Sequence, residues 1–156
     1  MKIAVVYYSL EGNTQYCAEK LGEMLEADVI RIEPVKPYAT GAFSKFFEGG
    51  KSSSFKEKPP LKPYVFGEYD LVILGTPLWA WDMTPPLRTF LLENDLKDRK
   101  VAAFITSGGG KADKAFANIA ELVGHPLESQ QDFINVLKNR DKVEEELKQW
   151  ITFIER

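Results

Sequence analysis

A chain of 156 residues that is 44% hydrophobic and 28% charged has the composition of a folded globular protein, and it is long enough to bury a core. Its net charge of −3 excludes general affinity for nucleic acid, and it has no apolar run near the roughly 20 residues that span a bilayer. One cysteine and one histidine exclude an internal disulfide and argue against a structural metal site. With no signal-peptide pattern at its N-terminus, the chain is predicted to be a single cytoplasmic domain.

The first predicted element is a strand over residues 3–8, whose unbroken apolar and aromatic run is typical of a parallel strand buried on both faces. Small polar residues follow, and a helical pattern begins at once. The N–H groups of that helix's first turn and its positive dipole end would face the carboxyl end of the strand, which predicts a bound anion. Cys17 shares the buried stripe of this helix with Leu21, so we expect it to be a core residue.

The turn between strand and helix offers side-chain donors from Ser9, Asn13 and Thr14, while Gly12 lets the backbone come close to a ligand. It does not match Gly-x-Gly-x-x-Gly, and the chain contains no Gly-x-x-x-x-Gly-Lys-Ser/Thr. A turn that tolerates anions without holding a cofactor remains the alternative.

A second strand is predicted over residues 28–33, and an irregular insertion follows at about 34–64. Six lysines and two glutamates give the stretch 34–63 a charge of +4, which leaves −7 for the rest of the chain. Its aromatic residues are Tyr38, Phe43, Phe46, Phe47 and Phe55. They must pack on something, so the insertion is either a loop pinned to its own domain or a lid or partner surface near the site. We expect it to be more mobile than the core and to steer an acidic partner or an anionic cosubstrate.

The third predicted strand, residues 70–75, leads into a loop with two tryptophans, Trp79 and Trp81. A single loop tryptophan is usually structural, but two at the carboxyl end of a strand favour a platform for a flat ring. Thr84 is the predicted N-cap of the next helix, with Pro85 at its first position.

The fourth predicted strand, residues 100–106, is followed by Ser107 and three consecutive glycines. Glycines suit a loop whose backbone passes directly against a ligand, since no side chain intrudes, although a flexible turn would look the same. A helix through Phe116, a weak fifth strand near residues 127–134 and a last helix through Trp150 complete the chain.

Strands that alternate with helices predict a doubly wound α/β fold, in which a parallel sheet carries helices on both faces. The loops after the first, third and fourth strands then meet at the carboxyl edge of the sheet. Together they offer an anion cradle, an aromatic platform and a glycine-rich backbone. A phosphate joined to a large planar ring satisfies all three, which predicts FMN. No catalytic nucleophile, carboxylate pair or histidine base is present, so the flavin would carry the chemistry.

The residues of these loops resemble the flavodoxin family. The family's phosphate loop runs Ser/Thr-x-Thr-Gly-x-Thr, which residues 9–14 match except for Glu11. Residues 75–80 and 107–110 are similar to its two ring-binding loops, with Trp79 in the stacking position. The resemblance implies a five-stranded parallel sheet in the order 2-1-3-4-5 and contacts to FMN from Ser9, Leu10, Glu11, Gly12, Asn13, Thr14, Pro77, Leu78, Trp79, Ala80, Trp81, Ser107, Gly108, Gly109 and Gly110.

Three departures mark a divergent member. Ala80 stands where many flavodoxins have a glycine whose peptide flips, and alanine should disfavour left-handed backbone by about 1–2 kcal/mol. Lys111 brings positive charge where the family is often acidic, and no tyrosine follows the glycines.

The resemblance implies an FMN electron carrier between redox protein partners. An NAD(P)H-dependent flavin or quinone reductase of the same fold is the second interpretation, because an insertion rich in lysine and phenylalanine could shape a substrate pocket. A nucleotide-binding module without turnover is the third. The sequence leaves open whether the protein is a monomer or a homodimer.

Overall fold

The structure, a computed structural model, describes residues 1–38 and 57–154. Its strands are β1 (Ile3–Tyr7), β2 (Asp28–Arg31), β3 (Leu71–Pro77), β4 (Lys100–Ser107) and β5 (Ser129–Ile134), and they form one parallel sheet in the order β2-β1-β3-β4-β5. The α-helices within these ranges are α1 (Asn13–Leu25), α2 (Pro85–Glu93), α3 (Asp113–Val123) and α4 (Arg140–Ile154). The predicted doubly wound sheet and its strand order are confirmed.

The central strands are buried on both faces. In β1, Val5 and Val6 are both fully buried but belong to different clusters of core side chains. One cluster lies between the sheet and helices α2 and α3, and the other lies between the sheet and helices α1 and α4. This explains the unbroken apolar runs, because a strand covered on both sides cannot alternate polar with apolar residues. In the ranges that the structure describes, no helix is long and apolar enough to cross a membrane.

Helix α2 begins as predicted, with Pro85 in its first position and Thr84 at the N-cap. The Thr84 hydroxyl makes no capping bond, however, and lies 2.9 Å from the Thr76 hydroxyl instead. Thr84 is thus the predicted N-cap residue, but its side chain bonds to β3 rather than to the helix. The pair joins the end of β3 to the start of α2.

Cys17 on α1 is fully buried, and burial raises the pKa of its thiol to about 12. Its interpretation as a core residue is confirmed. Because the thiolate is the reactive form, we expect the folded protein not to react with a thiol reagent such as dithionitrobenzoate at pH 8. The guanidinium-unfolded chain should react fully, and rapid labelling of the folded protein would contradict the buried position.

The two ends of the insertion pair with each other, and one of them is bonded to helix α2. Residues 33–35 run antiparallel to residues 60–62, with the Val35 N–H donating to the Pro60 carbonyl at 2.9 Å and the Lys62 N–H to the Glu33 carbonyl at 2.8 Å. The Thr89 hydroxyl of α2 donates to the Pro59 carbonyl at 2.8 Å. These bonds fit a loop pinned to its own domain; its four phenylalanines lie outside the described residues.

Candidate functional site

A cleft of about 640 Å³ opens at the carboxyl ends of β1, β3 and β4. This volume falls within the roughly 300–1,000 Å³ of ordinary small-molecule sites. Every residue of the predicted set lines it except Gly12 and Gly109, and Thr106 lines it in addition. The lining residues are Ser9, Leu10, Glu11, Asn13, Thr14, Pro77, Leu78, Trp79, Ala80, Trp81, Thr106, Ser107, Gly108 and Gly110. The structure thus brings the three predicted loops together in one cleft.

The turn from β1 to α1 presents backbone N–H groups to the cleft. Gly12 adopts a φ of 107°, which turns the chain into α1, and its N–H donates to the Ser9 hydroxyl oxygen at 3.1 Å. The Tyr16 N–H donates to the Gly12 carbonyl at 3.0 Å as the helix starts, so the N–H groups of residues 13–15 have no acceptor within the helix. With the helix dipole behind them, these groups favour an anion.

A pair of buried hydroxyls joins this turn to the end of β4. The Thr14 and Thr106 hydroxyl oxygens are 2.7 Å apart, and both side chains are buried. One hydroxyl hydrogen forms the bond between them, so the other can donate to a ligand in the cleft. Sequence reasoning missed Thr106, although a hydroxyl at the end of an apolar strand just before Ser107 was a usable signal.

Arg31, at the end of β2, adds a cation beside the same turn. Its Nη2 donates to the Ser9 carbonyl at 3.1 Å and its Nη1 to Gln15 Oε1 at 3.0 Å, while its Nε lies 3.3 Å from a Glu33 carboxylate oxygen. The guanidinium therefore fixes the loop by bonding to it at Ser9 and to the first turn of α1 at Gln15. No local motif reveals Arg31, because its position depends on β2 lying next to β1.

The tryptophan loop forms a tight two-residue turn. The Trp79 N–H donates to the Asp82 carbonyl and the Asp82 N–H to the Trp79 carbonyl, both at 3.0 Å. Between them, Ala80 has a φ of 49° and Trp81 a φ of 61°, as a type I′ turn requires. Ala80 therefore stands in left-handed backbone despite the expected cost of its Cβ there, because the paired bonds across the turn impose that geometry.

The two tryptophans occupy different environments. Trp79 is 8% exposed and packs edge-to-face on Tyr8 and Tyr38, with ring centroids 5.8 Å and 5.1 Å away. Trp81 is 63% exposed at the rim of the cleft. The contact between Tyr38 and Trp79 therefore holds the first residues of the insertion beside the cleft. The buried Trp79 forms part of the floor of the cleft, whereas the exposed indole ring of Trp81 is available to stack on a ligand.

Two of the three glycines after β4 occupy positions that favour glycine, each for its own reason. Gly109 has a φ of 124°, which glycine adopts without strain. A Cβ on Gly110 would lie 2.8 Å from Leu78 Cδ2, so glycine there lets the loop lie against the loop after β3. Lys111 is exposed and does not line the cleft, so its charge acts at longer range than the sequence suggested.

Several solved structures resemble the chain over most of its length. A candidate flavoprotein of Bacteroides eggerthii is 27% identical, with a TM-score of 0.77 over 99% of this chain and 98% of that one. A candidate flavoprotein of Bacteroides uniformis is 24% identical, with a TM-score of 0.79 over 97% of both chains. A Lactobacillus acidophilus flavoprotein in complex with FMN is 20% identical, with a TM-score of 0.70 over 84% of this chain and 92% of that one.

None of the curated proteins compared with the chain is significantly similar to it. A family model described as flavodoxin matches residues 2–154. This match covers the turn at residues 9–14, the loops at residues 77–81 and 107–110 and all five strands, and it agrees with the expectation of FMN. The chain belongs to the flavodoxin family.

Proposed function

We propose that the protein binds FMN in this cleft and transfers electrons as a flavoprotein. The observation that carries the proposal is that Asn13 and Thr14, whose N–H groups have no acceptor within the helix, and an exposed indole ring, Trp81, line a single cleft of about 640 Å³. Family membership supports FMN, and so does the FMN complex of the Lactobacillus acidophilus protein, which shares the fold.

The phosphate of FMN would lie against residues 9–14. It would accept bonds from the N–H groups of residues 13–15, from Ser9 and from the Thr14 and Thr106 pair. Hydrogen bonds to a charged group contribute about 1.5–3 kcal/mol each. Arg31 adds favourable charge, and Glu11 subtracts some.

The ring would lie between the tryptophan loop and residues 107–110. Trp81 would stack on it, Trp79 would support the floor, and the backbone of Gly108 and Gly110 would bond its polar edge. FMN supplies the electron-accepting chemistry, which the side chains that line the cleft lack. The protein's part is to bind and orient the ring and to limit the access of water.

We place an electron carrier between redox proteins first, because Trp81 is exposed at the rim, where a partner protein could approach the ring. A reductase that takes electrons from NAD(P)H and passes them to a flavin or quinone is the second candidate. The contact of Tyr38 with Trp79 favours it, since this contact holds the start of the insertion where a substrate wall would be needed.

The two functions differ in what NADPH does to the FMN-loaded protein. A carrier should oxidise NADPH with a quinone only very slowly by itself, and rapidly reduce cytochrome c once an NADPH-dependent flavoprotein reductase is added. Fast NADPH oxidation by the protein alone with a quinone would establish the reductase instead. If the purified protein took up no flavin, both redox functions would be excluded and the third interpretation, a nucleotide-binding module without turnover, would be favoured.

A further inference from the structure

We propose that Asp82 is a positioning residue that acts through Arg88 and Asn118 to hold the turn at Ala80 and Trp81 in the shape that meets the ring. The inference rests on the proposed function of the cleft. It assigns a role in ligand binding to three side chains that do not line the cleft.

The turn is strained by its own sequence. Both central residues are left-handed, with φ of 49° at Ala80 and 61° at Trp81. Turns of this type favour Asn-Gly, Asp-Gly or Gly-Gly, because a Cβ in left-handed backbone meets the following carbonyl. A backbone held in a sparsely populated region persists only when the surrounding structure over-determines it.

Asp82 closes the turn and is also tied to two helices. Its Oδ2 accepts from Arg88 Nη2 of α2 at 3.0 Å, and its Oδ1 accepts from Asn118 Nδ2 of α3 at 3.0 Å and from the Met83 N–H at 2.8 Å. Its backbone N–H and carbonyl both pair with Trp79. The residue that fixes the turn is therefore held by side chains of both neighbouring helices.

The ion pair is poorly suited to a role in stability alone. The side chains of Arg88 and Asp82 are only 6% and 4% exposed, so both charges are taken out of water. Arg88 Nη1 is buried and has no partner among the described residues. A buried pair with an unsatisfied donor contributes little net stability compared with apolar residues of similar volume, whereas it fixes geometry strongly. We infer that its benefit is the shape of the turn.

The test measures the affinity of the full-length, flavin-free chain for FMN by quenching of flavin fluorescence, with Asp82→Asn made alone and in the Ala80→Gly background. Glycine adopts left-handed backbone freely, so it removes the strain that Asp82 must hold. We expect Asp82→Asn to weaken binding roughly tenfold or more with Ala80 present, and less than about threefold in the Ala80→Gly background. An equal loss in both backgrounds would overturn the inference.

Two further variants keep the test decisive. Asn118→Ala removes one hydrogen bond to Asp82 and leaves the ion pair between Asp82 and Arg88 in place. The loss of FMN affinity that it causes should likewise be smaller in the Ala80→Gly background. Leu147→Ala removes a buried side chain on the opposite face of the sheet and should lower the melting temperature with no change in affinity that depends on residue 80. A larger gain in melting temperature from Ala80→Gly in Leu147→Ala than in the unmodified chain would contradict the specific link.

Failure of the inference and failure of the proposed function give different results. An unmodified chain that binds no FMN would refute the function. The link between Asp82 and the turn would then still be tested by the melting temperature. Ala80→Gly should raise it more in the Asp82→Asn variant than in the unmodified chain. Equal increases in the two backgrounds would refute the link.

Discussion

Trp79→Ala should lower the free energy of unfolding by about 3–5 kcal/mol, whereas Trp81→Ala should leave it nearly unchanged and weaken FMN binding about tenfold. The reason is their burial. The Trp79 indole is 8% exposed and contacts the rings of Tyr8 and Tyr38, so its removal opens a cavity. Trp81 is 63% exposed, so it packs little on the protein and can stack on a ligand.

Denaturant unfolding and FMN titration on the same variants separate the two roles. Trp81→Phe is the matched control, because it keeps a flat ring and should retain most of the affinity. If Trp79→Ala weakened FMN binding at unchanged stability while Trp81→Ala had no effect, Trp79 would be the stacking residue, as the resemblance alone implied.

Gly75→Ala should lower the free energy of unfolding by about 1–3 kcal/mol. Gly75 is paired with Phe104 across β3 and β4, and a Cβ there would clash with the Phe104 ring at Cζ. That ring is fully buried and is held edge-on by Phe133 and Trp150, so it has little room to move. The carboxyl ends of β3 and β4, which carry the loops at residues 77–81 and 107–110, would be forced apart.

Thermal unfolding checks this expectation. Gly67→Ala is the matched control because, apart from its chain neighbours, no described residue has an atom within 4 Å of the added Cβ. In a Phe104→Leu background the cost of Gly75→Ala should fall, since the clash is with the ring. Equal melting temperatures for Gly75→Ala and Gly67→Ala would show that the core accommodates the methyl group.

Much of the fold and of the cleft follows from local signals. Apolar runs such as the one over residues 3–8 mark strands buried on both faces, and parallel strands bring their carboxyl-end loops to one edge. The loops therefore met as predicted. The sequence also located the turns at Gly12 and Gly109, since a positive φ is a local demand of the backbone.

The missed features depend on distant neighbours. Arg31 reaches Ser9 only because β2 lies beside β1, and Thr106 reaches Thr14 only because β4 ends over the start of α1. The left-handed backbone of Ala80 likewise depends on distant neighbours. Its local preference is overridden by bonds across the turn and by the ties of Asp82 to α2 and α3.

The central claim is that the cleft holds FMN with its phosphate against residues 9–14, and the most direct test is a titration of the flavin-free protein with FMN and with riboflavin. Riboflavin has the ring but no phosphate, so the ratio of the two dissociation constants isolates the anion site. Two charge-assisted bonds at about 1.5–3 kcal/mol each predict that FMN binds at least about a hundredfold tighter. Equal affinities, or no uptake of FMN, would contradict the account.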